Sequence, residues 1–389
     1  MIALGRRFSD LFGGHPNLEV AIAPGRVNLI GEHTDYNDGW VLPMVIDRCV
    51  RVAFAARADR RIRAHAVAFD ETREVALDDL APSDRADWLS YVAGVAWALA
   101  ASGVEVVGAD LVIDGDVPIG SGLSSSAAIE MATARALCRM AGVRWSPVDM
   151  ARLGQKVESE YIGVKGGLMD QFTATMGRAG HALLLDCRSL EVELVPLPDE
   201  AVVVVMDTGA PRTLASSAYN DRSRSCREAV RVLHEVDPAV LALRDVDAEL
   251  LLAAGERMDE ETFRRASHVV AEIRRPLAMV EALQCGNLAA AGRLMDESHF
   301  SLRDLYEVSS EELDLFTGLA RRHPACYGAR LTGAGFGGCA IALVSAERAD
   351  AFIHEVHTAY RQRVDLPSSC FACHAAAGAR LVALETRSG

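Results

Sequence analysis

The sequence predicts an α+β fold divided into two halves. A chain of 389 residues is longer than one hydrophobic core usually supports, so two domains are expected. Predicted strands and helices are mixed along the chain without the strict alternation of a βαβ fold, which favours the α+β class. Half of the residues are hydrophobic and 24% are charged, as in ordinary globular proteins.

Extended segments dominate the first part of the chain, and helical segments follow them. Short apolar and β-branched runs predict strands at 19–23, 41–46, 50–56, 74–77 and 109–114. Helical patterns predict helices at 86–101, 125–140, 146–162 and 169–176. Segments 182–186 and 192–195 then predict a hairpin that turns around Arg188 and Ser189.

The second part of the chain begins after a short linker. Segment 196–199 contains two prolines and is predicted to join the halves. A continuous apolar run at 201–206 predicts a buried strand, 216–322 is predicted to be helical, and 330–344 and 371–384 return to strands. We therefore predict an N-terminal domain over 1–197 and a C-terminal domain over 198–389.

Charge and hydropathy argue against two kinds of partner. The formal net charge is −14 and basic residues do not cluster, so no nucleic-acid partner is expected. The longest strongly apolar stretch, 91–104, falls short of the roughly 20 residues that a membrane span needs. No signal-peptide pattern follows Arg6 and Arg7, and nine scattered cysteines suit a reducing compartment. We expect a soluble cytoplasmic protein, either a monomer or a weak homo-oligomer.

The sequence Cys370-Phe-Ala-Cys373-His374 has the spacing of a haem-attachment motif. Covalent haem attachment would require an exported chain, and no export signal is apparent. A short apolar strand that carries two cysteines is therefore the preferred interpretation.

A glycine-rich segment at 118–128, PIGSGLSSSAA, lies between a predicted strand and a predicted helix. Gly120 and Gly122 allow the backbone to approach a ligand closely, and three serines follow at the helix N-terminus. Unpaired amides and the positive end of the helix dipole make such a terminus suitable for phosphate. A plain helix N-cap is the alternative.

Three familiar phosphate-binding loops do not match this segment. A Walker A loop needs a lysine after its second glycine, and dinucleotide and protein-kinase loops need a glycine where Ser125 stands. No Lys or Arg occurs between 86 and 134. Phosphate would therefore be held by backbone amides, hydroxyls and a divalent cation.

A second glycine-rich segment, LTGAGFGGC at 331–339, lies between two predicted strands. Taken alone it fits a bulge or a tight turn. Together with the first loop, and again without a lysine, it favours a shared nucleotide site.

The segment 23–40, APGRVNLIGEHTDYNDGW, concentrates polar side chains. Its thirteen positions from 26 to 38 contain Arg26, Asn28, Glu32, His33, Asp35, Tyr36, Asn37 and Asp38. Such a density suits a polyol, because each hydroxyl requires a donor or an acceptor. A solvated loop is one alternative. A metal site of Glu32, His33 and Asp35 is another, although no further His/Cys cluster completes it.

This segment resembles the signature of galactokinases. The two glycine-rich loops resemble the other motifs of the superfamily of galactokinase, homoserine, mevalonate and phosphomevalonate kinases. The resemblance continues through GGLMDQ at 166–171, HALLLDCRSLE at 181–191 and LASSAY at 214–219, so it spans about 20–340.

The resemblance implies an N-terminal mixed α/β domain and a C-terminal ferredoxin-like domain with extra helices, with the active site between them. It implies transfer of a phosphoryl group from Mg²⁺-ATP to the anomeric (carbon 1) hydroxyl of galactose. Asp170 would be the catalytic carboxylate, assisted by Arg26; whether it removes the proton or only orients the hydroxyl stays open.

The other expected roles also follow from the resemblance. The sugar would be bound by Glu32, His33, Asp35, Gly167 and Tyr219. The magnesium ligands would be Ser126 and Glu158. The nucleotide would contact Trp88, Tyr91, Gly120, Gly122, Leu123, Ser124, Ser125, Ser126, Gly333 and Gly335. Taken alone, Tyr219 could be a helix surface residue and Glu158 a partner of Lys156 or Arg152.

Two departures affect the expected substrate. Ala218 stands where many galactokinases have Glu, and Gly166 where they often have Cys. Two alternatives therefore remain: a kinase for L-arabinose, galacturonate or N-acetylgalactosamine, and a non-catalytic galactose sensor. Asp170 and the glycine-rich segment at 118–128 with its three serines, which we call the serine loop, are both intact, and this argues against the sensor.

Overall fold

The computed structural model describes residues 1–15, 18–82, 87–164, 166–211 and 215–384, without the side chains of 215–217. The helices are α1 (Ile2–Phe12), α2 (Trp88–Ala101), α3 (Ser125–Met140), α4 (Pro147–Lys156), α5 (Met169–Met176), α6 (Ala215–Val236), α7 (Ala248–Ala254), α8 (Glu260–Glu272), α9 (Arg275–Gln284), α10 (Leu288–Asp304), α11 (Glu311–Arg322) and α12 (Ala349–Arg361). Within the described ranges, no helix combines the length and apolar character that crossing a bilayer would require.

The strands are β1 (Glu19–Asn28), β2 (Trp40–Val41), β3 (Pro43–Arg57), β4 (Arg61–Ala66), β5 (Glu71–Ala76), β6 (Gly108–Gly115), β7 (His181–Asp186), β8 (Val192–Pro196), β9 (Ala201–Asp207), β10 (Cys326–Leu331), β11 (Cys339–Ser345), β12 (Ser369–Cys373) and β13 (Arg380–Ala383). They form three sheets. Two of these sheets each organise one half of the molecule.

The first half is built on a six-stranded sheet with the order β13-β1-β3-β6-β4-β5. The β4–β6 pair is parallel and the other pairs are antiparallel. Helices α2, α3 and α5 pack with this sheet around one core, because their apolar faces and those of the strands are buried together. The predicted hairpin is confirmed: β7 and β8 pair in a small sheet with β2.

The second half contains a four-stranded antiparallel sheet with the order β10-β11-β9-β12. In chain order its elements are β9, a helical block, β10, β11, α12 and β12. This is the β-α-β-β-α-β arrangement of a ferredoxin-like domain. The additional helices lie between β9 and β10, where the sequence predicted a helical block. The predicted two-part α+β fold is confirmed.

The end of the chain returns to the first half. β13 pairs with β1 in antiparallel register, with Val20 opposite Val382. The predicted boundary at 197/198 therefore separates the two sheets except for this strand. The predicted linker begins inside β8, which ends at Pro196, and the short connection to β9 follows it.

Some predicted elements differ from the observed ones. The helix predicted at 146–162 is α-helical only to Lys156 and continues as a π-helical turn, Val157–Ile162. The start predicted for the helix at 86 lies outside the described residues, and α2 is observed from Trp88. Its N-cap residue is Asp87. The Asp87 carboxylate accepts a hydrogen bond from the Ser90 amide, and the Ser90 hydroxyl accepts one from the Asp87 amide. Cys370 and Cys373 lie on β12 as predicted for a plain strand.

Candidate active site

The predicted site residues meet in one cavity of about 660 Å³. It is bounded by the signature segment, the serine loop, the second glycine-rich loop and the start of α2. The predicted residues along its wall are Arg26, Glu32, His33, Asp35, Trp88, Tyr91, Gly120, Gly122, Ser124, Ser125, Ser126, Glu158, Gly167, Asp170, Tyr219 and Gly333. Leu123 is fully buried in the core, and Gly335 lies next to the wall on the second loop.

Arg26 reaches the cavity because β1 bends beside the serine loop. The register of β1 against β3 shifts between Pro24 and Arg26, and the Arg26 amide donates to the Leu123 carbonyl at 3.1 Å. Gly25 permits this approach, since a Cβ there would lie 2.7 Å from the Leu123 carbonyl oxygen. This backbone hydrogen bond therefore joins β1 to the glycine-rich loop at 118–128 beside the cavity.

Arg26 and Asp170 form a bidentate ion pair. The Arg26 Nε and Nη2 donate to the two Asp170 carboxylate oxygens at 2.7 and 2.6 Å, and Nη1 donates to the Gly122 carbonyl at 2.7 Å. Burial opposes the charge on Arg26, yet Asp170 and Glu32 raise its pKa. Asp170 lies in the first turn of α5, where the helix dipole also favours a carboxylate.

Ser124 occupies the N-cap position of α3 without capping it. Its backbone is left-handed, with φ of 58°, and its side chain caps no α3 amide. Its hydroxyl donates instead to Asp170 Oδ2. A serine of this type usually stabilises its own helix, so its use on a carboxylate in the cavity favours a ligand-binding loop over a plain cap.

Ser126 and Glu158 form an oxygen pair on the wall of the same cavity. The Ser126 hydroxyl donates to Glu158 Oε1 at 2.9 Å. Burial and the charge of Asp170 raise the pKa of Glu158 to about 7. Glu158 lies on the π-helical turn. This turn packs closely on α2 at Gly94, where a Cβ would lie only 2.6 Å from Val157 Cγ1. Such turns recur at functional sites.

These two oxygens fit a divalent cation shared with phosphates. A buried carboxylate with a raised pKa lacks a compensating positive charge, and Mg²⁺ is typically held by one or two carboxylates plus substrate phosphates. Among the described residues no group of three His, Cys, Asp or Glu side chains could hold a metal ion. A cation held by Ser126 and Glu158 would also bind substrate phosphates, as Mg²⁺ typically does.

The second glycine-rich loop closes over the first. Gly333 lies so close to Gly122 that a Cβ on Gly333 would be 3.1 Å from the Gly122 carbonyl oxygen. Its backbone is left-handed, with φ of 81°, and its amide donates to Glu32 Oε1 at 2.7 Å. The two lysine-free loops therefore lie against each other at one cavity, and their sharing of a nucleotide stays a prediction.

Glu32 and Arg330 form a buried charge pair that sequence reasoning missed. Arg330 is fully buried, and its Nη2 lies 3.4 Å from Glu32 Oε1. Burial raises the pKa of Glu32, whereas Arg330 and Arg26 lower it. The position of Arg330 directly before the second loop was the available signal, but its partner is almost 300 positions away in the sequence.

Asp35 lies against Gly167, and both line the cavity. A Cβ on Gly167 would lie 1.9 Å from Asp35 Oδ2, so only glycine fits there. Burial, with the charges of Asp170 and Glu32, raises the pKa of Asp35 to about 7. This carboxylate has a high free energy in its charged form until it receives hydrogen-bond donors.

His33 and Tyr219 contribute an aromatic wall. Their ring centroids lie 5.4 Å apart. The His33 ring is bonded within the protein at both nitrogens: Nδ1 lies 2.8 Å from the Tyr36 hydroxyl and Nε2 lies 3.2 Å from the Ala334 carbonyl. Burial, with His268, lowers the pKa of His33 to about 3, so the ring is neutral. Direct sugar contact by His33 stays a prediction.

The aromatic residues predicted to contact the base also line the cavity. They are Trp88 and Tyr91, and the Trp88 indole donates to Glu71 Oε2 at 2.9 Å. Phe69 and Ile119, which sequence reasoning missed, line the same cavity with 53% and 66% of their surfaces exposed. No local pattern distinguishes them from ordinary loop residues.

The motif at 214–219 is described only in part. Leu214 lies outside the described residues, as do the side chains of 215–217, whereas Ala218 and Tyr219 lie within α6. Gly166 lies beside the Ser126–Glu158 pair, since a Cβ there would be 3.6 Å from Glu158 Oε2. The departure at Gly166 therefore falls nearer to the candidate cation than to Asp35.

Three family profiles match this chain. They are the galactokinase galactose-binding signature over 6–56, the GHMP kinases N terminal domain over 90–178 and GHMP kinases C terminal over 279–362. Together with the fold and the lysine-free phosphate loops, these matches define a GHMP kinase.

The curated relatives narrow this class. A galactokinase from Roseiflexus sp. (strain RS-1) is 45% identical over 375 residues, which cover 96% of this chain and 95% of that protein. A galactokinase from Clostridium perfringens is 40% identical over 94% of this chain and 95% of that protein. The chain belongs to the galactokinase family.

Solved structures agree with this assignment. The crystal structure of Lactococcus lactis galactokinase complexed with galactose has a TM-score of 0.93 and 36% identity, covering 97% of this chain and 99% of that one. Mevalonate kinase from Methanococcus jannaschii has a TM-score of 0.63 at 19% identity over 92% of this chain and 98% of that one, which shows the shared fold alone. The family and fold predicted from the sequence are confirmed.

Proposed function

We propose that this chain transfers the γ-phosphoryl group of ATP to the anomeric hydroxyl of galactose. The observation that carries the proposal is the Arg26–Asp170 pair, which bonds to Gly122 and Ser124 of the first glycine-rich loop and lines the same cavity as the Asp35 carboxylate. Galactose is proposed as the substrate because the curated relatives are named galactokinases. The site contains the Asp170 carboxylate for the acceptor hydroxyl, the Arg26 guanidinium beside it and a glycine-rich loop for the phosphates.

Asp170 would accept a hydrogen bond from the anomeric hydroxyl and hold it in line for attack. Arg26 holds the Asp170 carboxylate in place through two bonds and would add positive charge where the transferring group develops negative charge. Phosphoryl transfer needs positioning and charge stabilisation more than covalent catalysis, and the rigid pairing of Arg26 with Asp170 and Gly122 provides both.

Asp35 and Glu32 would bind the hydroxyls of the sugar. A carboxylate can accept from two neighbouring hydroxyls, so Asp35 would bridge ring hydroxyls while Glu32 receives the exocyclic one. His33, whose ring lies against the Ala334 carbonyl on the second loop, would contact the sugar beside Glu32, and Tyr219 would cover the sugar from α6. The base of ATP would lie at Trp88 and Tyr91.

Ser126 and Glu158 would hold Mg²⁺ together with the phosphates. When bound, the ion would neutralise phosphate charge and orient the nucleotide. Because the described part of the serine loop carries no cationic side chain, ATP binding should depend on this pair. We also propose a cytoplasmic monomer or weak homo-oligomer.

Removing the candidate magnesium carboxylate should uncouple ATP binding from Mg²⁺. We expect Mg²⁺ to tighten ATP binding about tenfold or more in the wild type, and Glu158→Gln to lose most of this gain. The measurement is calorimetric titration of ATP with Mg²⁺ and with EDTA. Glu160→Gln is the control, since Glu160 lies on the same turn but is exposed and faces Lys156. Equal affinities in both media for wild type and Glu158→Gln would contradict the assignment.

Galactose binding should strengthen as pH rises towards 7. The Asp35 pKa is raised to about 7 in the free protein, and sugar hydroxyls would bind its charged form. Below pH 7 the carboxylate must first lose a proton before it binds the sugar. Each unit by which the pH falls below 7 should therefore weaken the affinity for galactose by up to about tenfold, and the affinity should be constant above pH 7. Calorimetry from about pH 5.5 to 8.5 measures this. Asp35→Asn should flatten the profile; affinity that falls with rising pH would contradict the role.

A further inference from the structure

Glu272 is a buried carboxylate that no step of the proposed reaction uses, yet it holds the backbone of the signature segment. It is the last residue of α8 and has no exposed surface. Its Oε1 accepts the Gly31 amide at 2.9 Å, the Glu32 amide at 3.3 Å and the Ser298 hydroxyl at 2.7 Å. One oxygen of the second half therefore receives two consecutive amides of the first half.

The other side of this carboxylate is fixed as well. Arg275 Nη1 donates to Glu272 Oε2 at 2.5 Å, so the two oxygens of this carboxylate have different partners. One oxygen pairs with a charge and the other binds the signature backbone. From the same helix, His268 Nε2 lies 3.4 Å from the Glu32 carbonyl oxygen. Both polar groups of the Glu32 main chain thus face α8.

The backbone around Glu32 is unusual and needs such support. Gly31 and His33, on either side of it, have positive φ values of 94° and 63°. A Cβ on Gly31 would lie 2.6 Å from the Trp40 carbonyl oxygen and 2.9 Å from Pro276 Cγ. The turn therefore fits one conformation, and that conformation sets the direction of the Glu32 side chain into the cavity.

We propose that Glu272 is a positioning residue for sugar specificity. By holding the amides of Gly31 and Glu32, it aims the Glu32 carboxylate at the exocyclic hydroxyl of the hexose. This inference rests on the proposed function, in which Glu32 receives that hydroxyl. Loss of the aim should reduce the contribution of that hydroxyl and leave the reaction at carbon 1 in place.

The test compares galactose with 6-deoxygalactose, which lacks only the exocyclic hydroxyl. Glu272→Gln keeps the size of the side chain but replaces a charged acceptor with a neutral one. We expect its preference for galactose over 6-deoxygalactose, measured as a ratio of kcat/KM, to fall about tenfold. The loss should appear as a higher KM for galactose, with 6-deoxygalactose changed by less than about threefold.

Arg275→Met is the matched control. It breaks the ion pair on Oε2 but leaves the oxygen that accepts Gly31 and Glu32. It should lower the melting temperature, and its preference for galactose should stay within about twofold of the wild type. If Glu272→Gln does not fold, Glu272→Asp replaces it, since it withdraws the charged oxygen by one carbon and should show the same selective loss.

Two results would overturn the inference. An unchanged sugar preference in the Glu272 variant would mean that the residue only stabilises the fold. An equal loss for both sugars would mean that it does not act through the exocyclic hydroxyl. A wild-type protein that phosphorylates neither sugar would contradict the proposed function itself, which separates that failure from the first two.

Discussion

Asp170→Asn should give a folded protein whose turnover is lower by about 10² or more. The amide keeps the size of the carboxylate but cannot accept both Arg26 donors or hold a hydroxyl as a charged acceptor. The fold should survive because Arg26 keeps its bond to the Gly122 carbonyl and Asp170 is partly exposed. The loss should therefore appear in kcat, measured with saturating sugar and ATP.

Asp114→Asn is the control for this variant. Asp114 lines the same cavity at the end of β6, so the substitution makes the same chemical change in the same space. It should keep turnover within a few-fold of the wild type, and both variants should show cooperative thermal unfolding. A folded Asp170→Asn protein with near wild-type turnover would remove Asp170 from the mechanism.

Galactose should be phosphorylated far faster than glucose, by about 10⁴ in kcat/KM. The two sugars differ only at carbon 4, and the Asp35 carboxylate, which lies against Gly167, would accept the hydroxyl in the galactose configuration. With glucose, a buried carboxylate oxygen would lose its donor, and an unmet buried acceptor is costly. The measurement is kcat/KM for both sugars, with L-arabinose and galacturonate added.

Asp35→Ala should reduce this preference, because neither epimer then finds the carboxylate. Glu32→Ala should instead narrow the gap between galactose and L-arabinose, which lacks the exocyclic carbon. The two variants thus act as controls for each other. If glucose matches galactose, or galacturonate exceeds it, the galactose assignment is wrong and only the kinase class remains.

The sequence was informative where the chemistry is local. Arg26, Glu32 and Asp35 lie within ten positions, and a short polar segment of this kind indicates a polyol site before any fold is known. The serine loop was less distinctive, because taken alone it also fitted a plain helix N-cap; the second glycine-rich loop and the family resemblance favoured a phosphate site. The return of the chain to strands after the helical block followed from apolar runs.

The rest depended on contacts between distant parts of the chain. Nothing near Glu272 or Arg330 in the sequence shows that they face Glu32, since those contacts exist only after the two halves meet. The π-helical turn at Val157–Ile162 was also hidden, because its composition suits an ordinary helix. The same holds for β13, whose pairing with β1 joins opposite ends of the chain.

The most direct test of the central claim is to identify the product. The wild-type protein, galactose and Mg²⁺-ATP are incubated, and the sugar product is examined by phosphorus and proton NMR. The proposed function predicts a phosphate on carbon 1, with coupling between phosphorus and the anomeric proton, and about a hundredth of this product or less when Asp170→Asn replaces the wild type for the same time. Phosphate on another carbon, or galactose that binds and remains unchanged, would contradict it.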